Sequence, residues 1–330
     1  MTKIKILVTG ATGFTGGRLA RRLAAQGASV RTLARPHEDC TALQEEGIEI
    51  VRGDLTDRDS LPPAVEGVET VYHIAAAFRE EGVPRKFFWD VNVKGARNLI
   101  DASRAAGIRR FVHCSTVGVQ GEIKDPPASE EAPYNPGDHY QESKVDGEKL
   151  VLQMIEEHGF PAVIFRPVGI YGPGDTRFLK LFRLARKGKF PMLGSGNVLY
   201  HLTYIDDLVD GILLCGTAPD VEGEIFTLGG PQYVTLNELV RLIGEAMDRP
   251  VSITHFPVWP TWLTGAVCEA VCRPLGIDPP LYRRRVDFFI KDRAFDISKA
   301  RSRLGYDPKV DLKTGLRRTA EWYQTKKLLD

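Results

Sequence analysis

Lys3-Ile-Lys-Ile-Leu-Val-Thr-Gly10-Ala-Thr-Gly13-Phe-Thr-Gly16-Gly17 is the stretch that sets the fold. Residues 3–9 are a short run rich in Ile, Leu and Val, the composition of a strand buried on both faces. A helical pattern follows through Leu19, Leu23 and Ala24 and stops at Gly27. Between them glycines stand at Gly10, Gly13 and Gly16. Glycines let a backbone turn sharply and approach a pyrophosphate, whose charge then sits on the helix N-terminus. The spacing is one residue wider than Gly-x-Gly-x-x-Gly, and a simple tight turn would use the same glycines. The order strand, glycine turn, helix favours nucleotide binding.

The pattern continues downstream. Ala28 to Leu33 reads as a second strand, and the residue just beyond it selects between cofactors. An acid there accepts hydrogen bonds from an adenosine ribose 2′-hydroxyl, whereas an arginine suits a 2′-phosphate. The chain has Ala34-Arg35-Pro36; Glu38 and Asp39 lie further on, and Pro36 argues against a continued strand. Arg35 therefore tilts the expectation toward NADP(H), with NAD the other possibility. Ile48 to Val51 is a third strand, closed by Gly53-Asp54-Leu55. Val68 to Ile74 is a fourth, running into Ala75-Ala76-Ala77, whose small side chains would let backbone approach a cofactor. A helix opened or crossed by Asp90 to Gly95 ends near Gly107, and Arg109 to Ser115 is a fifth strand. Asp125 to Gly137 is a loop rich in Pro and acids, and Pro161 to Arg166 is a sixth strand. Strands alternating with helices argue for a doubly wound parallel sheet, whose ligands gather at the strand carboxyl ends.

Composition excludes several classes. At 330 residues the chain has room for a sizeable core in one large domain or two unequal ones. Lys plus Arg (44) nearly balances Asp plus Glu (43), which does not favour nucleic acid as a partner. The N-terminus enters a strand at once and lacks a signal-peptide cleavage site, and no apolar run is long enough to span a bilayer. The five cysteines are scattered without a Cys-x-x-Cys or Cys/His cluster, as expected of reduced packing residues in a cytoplasmic protein without a zinc site.

Tyr140-Gln-Glu-Ser-Lys144 carries the chemistry. Residues four apart lie one turn above each other on a helix. A phenol titrates near pH ~10 in water, too high for a base at neutral pH. A fixed ammonium beside it favours the phenolate, which makes Tyr140 a general acid/base for a hydroxyl. The motif alone is common in amphipathic helices; it gains weight from the glycine turn and from Ser115-Thr116 at a strand end.

Together these residues give a chain that resembles the extended short-chain dehydrogenase/reductase superfamily, also called NAD-dependent epimerase/dehydratase. The likeness runs on through Asn92, Arg166-Pro167-x-x-x-Tyr171-Gly-Pro173, Tyr204-Ile-Asp-Asp207-Leu and Phe295-Asp296-x-Ser-Lys299-Ala, and so covers nearly the whole length. It implies a Rossmann-type α/β sheet over residues 1–170 and about 204–229, with a smaller C-terminal α/β substrate-binding region from 171–203 and 230–330. It implies that Thr116 hydrogen-bonds the reacting oxygen, with Ser115 beside it as the lesser candidate. Tyr140 would move the proton, and Lys144 would hold the nicotinamide ribose. Thr12, Gly13, Phe14 and Thr15 would face the phosphates, Asp54 and Leu55 the adenine, Ala75 and Ala76 the ribose side, and Pro167 to Ile170 the nicotinamide amide. It also implies a homodimer built from the helix after Asp90 and the Tyr140 helix.

Three departures choose among branches. Val117-Gly118 stand where sugar-nucleotide dehydratases carry two acids after the threonine. Leu199-Tyr200-His201-Leu202 replace the Arg-Asp that grips a sugar diphosphate. Trp259, Trp262, Leu263, Val267 and Val271 make the segment from Phe256 to Pro280 apolar, resembling the 3β-hydroxysteroid dehydrogenase and 3-oxoacyl-acid reductase branch; core or dimer contact would serve equally for these side chains. Arg283-Arg284-Arg285 falls near a second phosphate-binding arginine of some sugar-nucleotide enzymes, although such a run is commonly a solvated face. The stripe Arg177, Lys180, Arg183 and Arg186 reads as an exposed helix face, and His201 as a hydrogen-bonded structural residue. The expectation is an NADP(H)-preferring oxidoreductase acting on a secondary alcohol or ketone. The alternatives are a nucleotide-sugar epimerase that keeps its cofactor and, from another class, a dinucleotide-sensing regulatory protein.

Overall fold

Apolar strands buried on both faces alternate their side chains between two cores, and that alternation builds the molecule. In β1 (Lys5–Thr9), Ile6 and Val8 enter one core layer while Leu7 enters the other. β5 (Arg110–Cys114) divides Val112 from Phe111 in the same way, and β6 (Ala162–Pro167) divides Val163 and Phe165 from Ala162 and Ile164. The computed structural model describes residues 5–78, 83–272 and 283–329, without the side chains of Thr261, Ala266, Val267, Glu269 and residues 271–285.

The chain runs from β1 through α1 (Phe14–Ala25), β2 (Ser29–Ala34), α2 (Thr41–Glu45), β3 (Glu49–Arg52), α3 (Pro62–Val65) and β4 (Thr70–His73). A helical stretch follows, made of α4 (Arg85–Trp89), a wide π turn (Asp90–Gly95) and α5 (Ala96–Ala105), and it leads into β5. After β5 come α6 (His139–His158), β6, β7 (Gly169–Tyr171), α7 (Leu179–Arg186), β8 (Lys189–Leu193), β9 (Leu199–Tyr204) and α8 (Ile205–Thr217). The remainder is β10 (Ile225–Leu228), β11 (Tyr233–Thr235), α9 (Leu236–Ala246), β12 (Ser252–Phe256), α10 (Val258–Cys272), α11 (Arg283–Ile290), α12 (Ser298–Leu304) and α13 (Leu312–Thr325).

Seven strands form the main sheet in the order β10-β6-β5-β4-β1-β2-β3, every pair parallel. The order reverses between β1 and β4, and a crevice opens beyond the carboxyl ends of strands at such a point. The doubly wound parallel sheet expected from the sequence is therefore present, and β10 extends it beyond β6. A three-stranded sheet, β11-β9-β7, and a two-stranded one, β12-β8, lie outside it. Among the described residues no helix is long and apolar enough to cross a membrane.

Two expectations need correction. Arg177 is not part of a helical stripe, because α7 begins only at Leu179, after a turn through Gly172 and Gly174, both at positive φ. Trp259 and Leu263, on α10, do not turn inward either: they are 69% and 51% exposed, so these two side chains are neither core nor cavity wall. Val267, Val271 and the side chains of Arg283, Arg284 and Arg285 lie outside the described residues.

Candidate active site

Beyond the carboxyl ends of the strands lies a cavity of about 1660 Å³, larger than the ~300–1,000 Å³ of an ordinary small-molecule cleft. The glycine turn forms one end. Gly10 has φ +74°, and a Cβ there would meet the Ala75 backbone nitrogen at 2.8 Å. A Cβ on Gly16 would lie 2.2 Å from the Gly10 carbonyl oxygen, so α1 can seat this close to the turn only with glycine. Gly13 caps α1 with no side-chain hydrogen bond, and no acid stands in the first turn. The unsatisfied amides and the helix dipole therefore favour an anion at Thr12, Gly13, Phe14, Thr15 and Gly16, all of which line the cavity. A cradle that a single Cβ would fill, at the start of a twelve-residue helix, fits the diphosphate of a dinucleotide.

The next loops complete that end. Asp54 accepts hydrogen bonds from the Thr56 amide (2.8 Å) and hydroxyl (2.7 Å), while Asn98 donates to the Leu55 carbonyl (2.9 Å); both Asp54 and Leu55 line the cavity. Arg35 lines it too, with its guanidinium donating to Glu38 at 2.9 and 3.1 Å. Ala75 and Ala76 contribute wall, the Ala75 amide being held by the Thr9 hydroxyl at 3.2 Å. Asn92 does not reach the cavity. It is buried behind the wall, accepting from the Ala77 amide (2.8 Å) and donating to the Ala77 carbonyl (3.1 Å) and the Ser143 hydroxyl (2.9 Å). Any part it plays toward a cofactor passes through Ala77.

α6 supplies the reactive face. Asp138 caps it by accepting from the Gln141 amide at 2.8 Å, and Gly159 in the left-handed conformation ends it. Tyr140, Lys144 and Glu148 follow one another at successive turns, all buried. Tyr140 and Lys144 line the cavity, and the Tyr140 ring meets Phe78 edge-on at 5.1 Å. Lys144 donates to the Cys114 carbonyl at 2.6 Å, and burial lowers its pKa from the ordinary lysine value. Burial also holds the His73 imidazole down at about 3 and pushes the Cys114 thiol up to about 11, so these two neighbours stay neutral.

Thr116 and Ser115 part company. Thr116 lines the cavity and accepts from the Gly118 amide at 3.1 Å, which leaves its own O–H to donate. Ser115 touches the cavity, but its buried hydroxyl is committed to Glu148. That carboxylate also accepts from Tyr134 (2.7 Å) and from Arg166 (2.5 and 3.1 Å), with Glu148 and Arg166 both essentially inaccessible. The ion pair ties α6 to β6 and to the ends of β5 and the Tyr134 loop. The sequence signal for Glu148 was its position four beyond Lys144 on the same face.

Pro167 and Ile170 line the cavity as well, as do the apolar side chains Phe78, Phe87, Tyr200, Leu202, Phe288 and Phe295. Some of the polar groups beside them are paired: Lys291 with Asp287 at 2.9 Å, and Arg293 donating to the Tyr200 hydroxyl at 2.6 Å. His201 also lines the cavity, donating to the Gly230 carbonyl at 2.9 Å as a structural histidine would. Arg177 lies at the cavity edge over the Phe14 ring (5.7 Å), donating to Asp175 at 2.6 Å.

A sequence model described as the NAD dependent epimerase/dehydratase family matches residues 6–229. Over 97% of this chain and 90% of the relative, it is 31% identical to a 3 beta-hydroxysteroid dehydrogenase/Delta 5-->4-isomerase of Mycobacterium tuberculosis. It is also 31% identical to the 2-alkyl-3-oxoalkanoate reductase of Stenotrophomonas maltophilia, over 96% of this chain and 98% of that one. Among solved structures, gox2253 superposes with a TM-score of 0.83 at 28% identity, each chain covered in full (100%). With a glycine turn, a cavity at the sheet reversal and a family match over most of its length, the chain belongs to the NAD dependent epimerase/dehydratase family of enzymes.

Proposed function

We propose that this enzyme is a nicotinamide-dinucleotide oxidoreductase that interconverts a secondary alcohol and a ketone on a largely apolar substrate. The observation that carries the reading is that Thr116, Tyr140 and Lys144 line the same cavity as the glycine turn. Residues 10–16 would hold the diphosphate, Asp54 and Leu55 the adenine, and Pro167 to Ile170 the carboxamide. When bound, the nicotinamide supplies the hydride acceptor or donor. Tyr140 takes the hydroxyl proton in oxidation and returns it to the oxygen in reduction. Lys144, fixed on the Cys114 carbonyl, favours the phenolate by its charge. The Thr116 O–H donates to the substrate oxygen as charge develops on it, and the aromatic wall excludes water. Arg35 and Glu38 face the adenosine ribose, and their pairing decides between NAD and NADP.

The substrate class rests on the aromatic side chains among the cavity's lining and on the names of the two relatives, one a hydroxysteroid dehydrogenase and the other an oxoalkanoate reductase. Residues 1–170 with about 204–229 form the dinucleotide-binding part of this proposal, and 171–203 with 230–330 the substrate-binding part. A homodimer through the helical stretch before β5 and α6, in the cytoplasm, completes it; Trp89 donating to Asp146 (2.9 Å) already joins those two helices within one chain. The test is the nicotinamide absorbance when purified enzyme meets NAD or NADP and a panel of hydroxysteroids and 3-hydroxy acids. Net formation of reduced cofactor with any of these is the expected result. Interconversion of UDP-sugars without net cofactor change overturns it in favour of a nucleotide-sugar epimerase.

A further inference from the structure

Resting on the reading that the cleft interconverts a secondary alcohol and a ketone, we infer that Gln141 is a specificity-determining residue for the substrate. Its side-chain N–H donates to a second substrate oxygen, carried one methylene away from the reacting carbon, as in a 3-hydroxyacyl or 3-oxoacyl compound.

Gln141 stands directly after Tyr140 in the first turn of α6, and it lines the cavity together with Thr116 and Gly118. Its backbone and its side chain are both held. The Gln141 amide donates to the Asp138 cap at 2.8 Å, and the side-chain Oε1 accepts from the Gly137 amide at 2.7 Å. A backbone N–H can only donate, so this bond decides which end of the side-chain amide is oxygen. The other end, Nε2, is a donor, and among the described residues no protein group accepts from it.

Gly118 shows what that donor faces. A Cβ on Gly118 would lie 3.2 Å from Gln141 Nε2 and 3.3 Å from Thr116 Oγ1. The two donors therefore flank one spot, and glycine keeps that spot open. Thr116, accepting from the Gly118 amide at 3.1 Å, gives its O–H to the reacting oxygen. A substrate with oxygens on carbons separated by one methylene presents an acceptor to each donor. An alcohol with a single oxygen satisfies Thr116 and leaves Nε2 unmatched, which a site with a fixed polar group disfavours.

Oxygen Oε1 also braces the start of α6, so two variants separate the brace from the donor. Gln141→Glu keeps an oxygen for the Gly137 amide and loses the N–H; Gln141→Met loses both without adding charge. Steady-state kinetics of the full chain with methyl 3-hydroxyoctanoate and with 2-octanol gives the ratio of kcat/KM for the two alcohols. Wild type is expected to favour the hydroxy ester by about tenfold or more. Each variant should lower that ratio by about tenfold, chiefly through KM for the ester. A residue that only braces the helix would change both alcohols alike. The inference is overturned if wild type shows no preference, or if either variant leaves the ratio unchanged. Turnover of hydroxysteroids without turnover of the ester overturns it too, and leaves the underlying oxidoreductase reading standing. Wild type that oxidises no secondary alcohol with NAD or NADP brings down that reading, and this inference with it.

Discussion

Glu148 shows how far a single residue can organise the cleft without touching it. Ser115, Tyr134 and Arg166 all donate to its carboxylate, which is inaccessible to solvent. A buried pair contributes little net stability, but removing one member leaves the other charge uncompensated. Glu148→Ala should therefore destabilise the protein by about 3–5 kcal/mol in urea unfolding. The same network separates the two neighbouring hydroxyls. With its O–H spent on Glu148, Ser115 is not available to the substrate, so Ser115→Ala should keep turnover within about threefold. Thr116→Val removes a donor aimed at developing charge and should lower kcat by about a hundredfold. Steady-state kinetics on the two variants checks both expectations, and equal losses would count against the division of labour between Ser115 and Thr116.

At the scale of elements, the glycine turn and the interior of the sheet make separable predictions. Gly16→Ala puts a methyl 2.2 Å from the Gly10 carbonyl oxygen, so α1 must back away from the turn. Such overpacking costs about 1–3 kcal/mol and misplaces the phosphate-facing amides. Dinucleotide affinity measured by calorimetry should fall with it, by more than about tenfold. His73, on β4, tests the buried layer under Lys144. Its imidazole is held at about 3 by burial and by Lys144, against an ordinary 6.5, so the folded state keeps it neutral. The unfolded chain takes up that proton first as acid is added. Its contribution is complete above pH ~6.5 and is lost as pH falls toward ~3, at up to about 1.4 kcal/mol per pH unit. His113, depressed by burial in the same way, adds to the slope. His73→Gln should make stability fall less steeply between about pH 6 and 4 in urea titrations, and an unchanged slope would contradict the buried neutral assignment. The elements themselves were largely legible in the sequence, because runs such as Lys5–Thr9 and Ala162–Pro167 are buried on both faces and read as continuous apolar stretches. Arg177 was misread because its spacing from Lys180 and Arg183 fits a helix that starts only at Leu179.

For the whole molecule, what sequence spacing conveys is which residues share an element, and what it omits is how loops fold back. Tyr140, Lys144 and the glycine turn were visible because their chemistry depends on local spacing. The return of Glu38 onto Arg35 and the retreat of Asn92 behind Ala77 were not, since each depends on contacts made by a turn or across elements. The outward-facing Trp259 escaped for a further reason: α10 is apolar enough that its composition reads as core, and only packing reveals what is left uncovered. The account's central claim is that Tyr140 moves the proton in a cleft where Lys144 biases its charge. Kinetics and calorimetry on Tyr140→Phe, side by side with wild type, test it most directly. Dinucleotide affinity within about threefold of wild type, with kcat lowered by about 10²–10⁴, is the predicted result. Turnover retained within tenfold would contradict it.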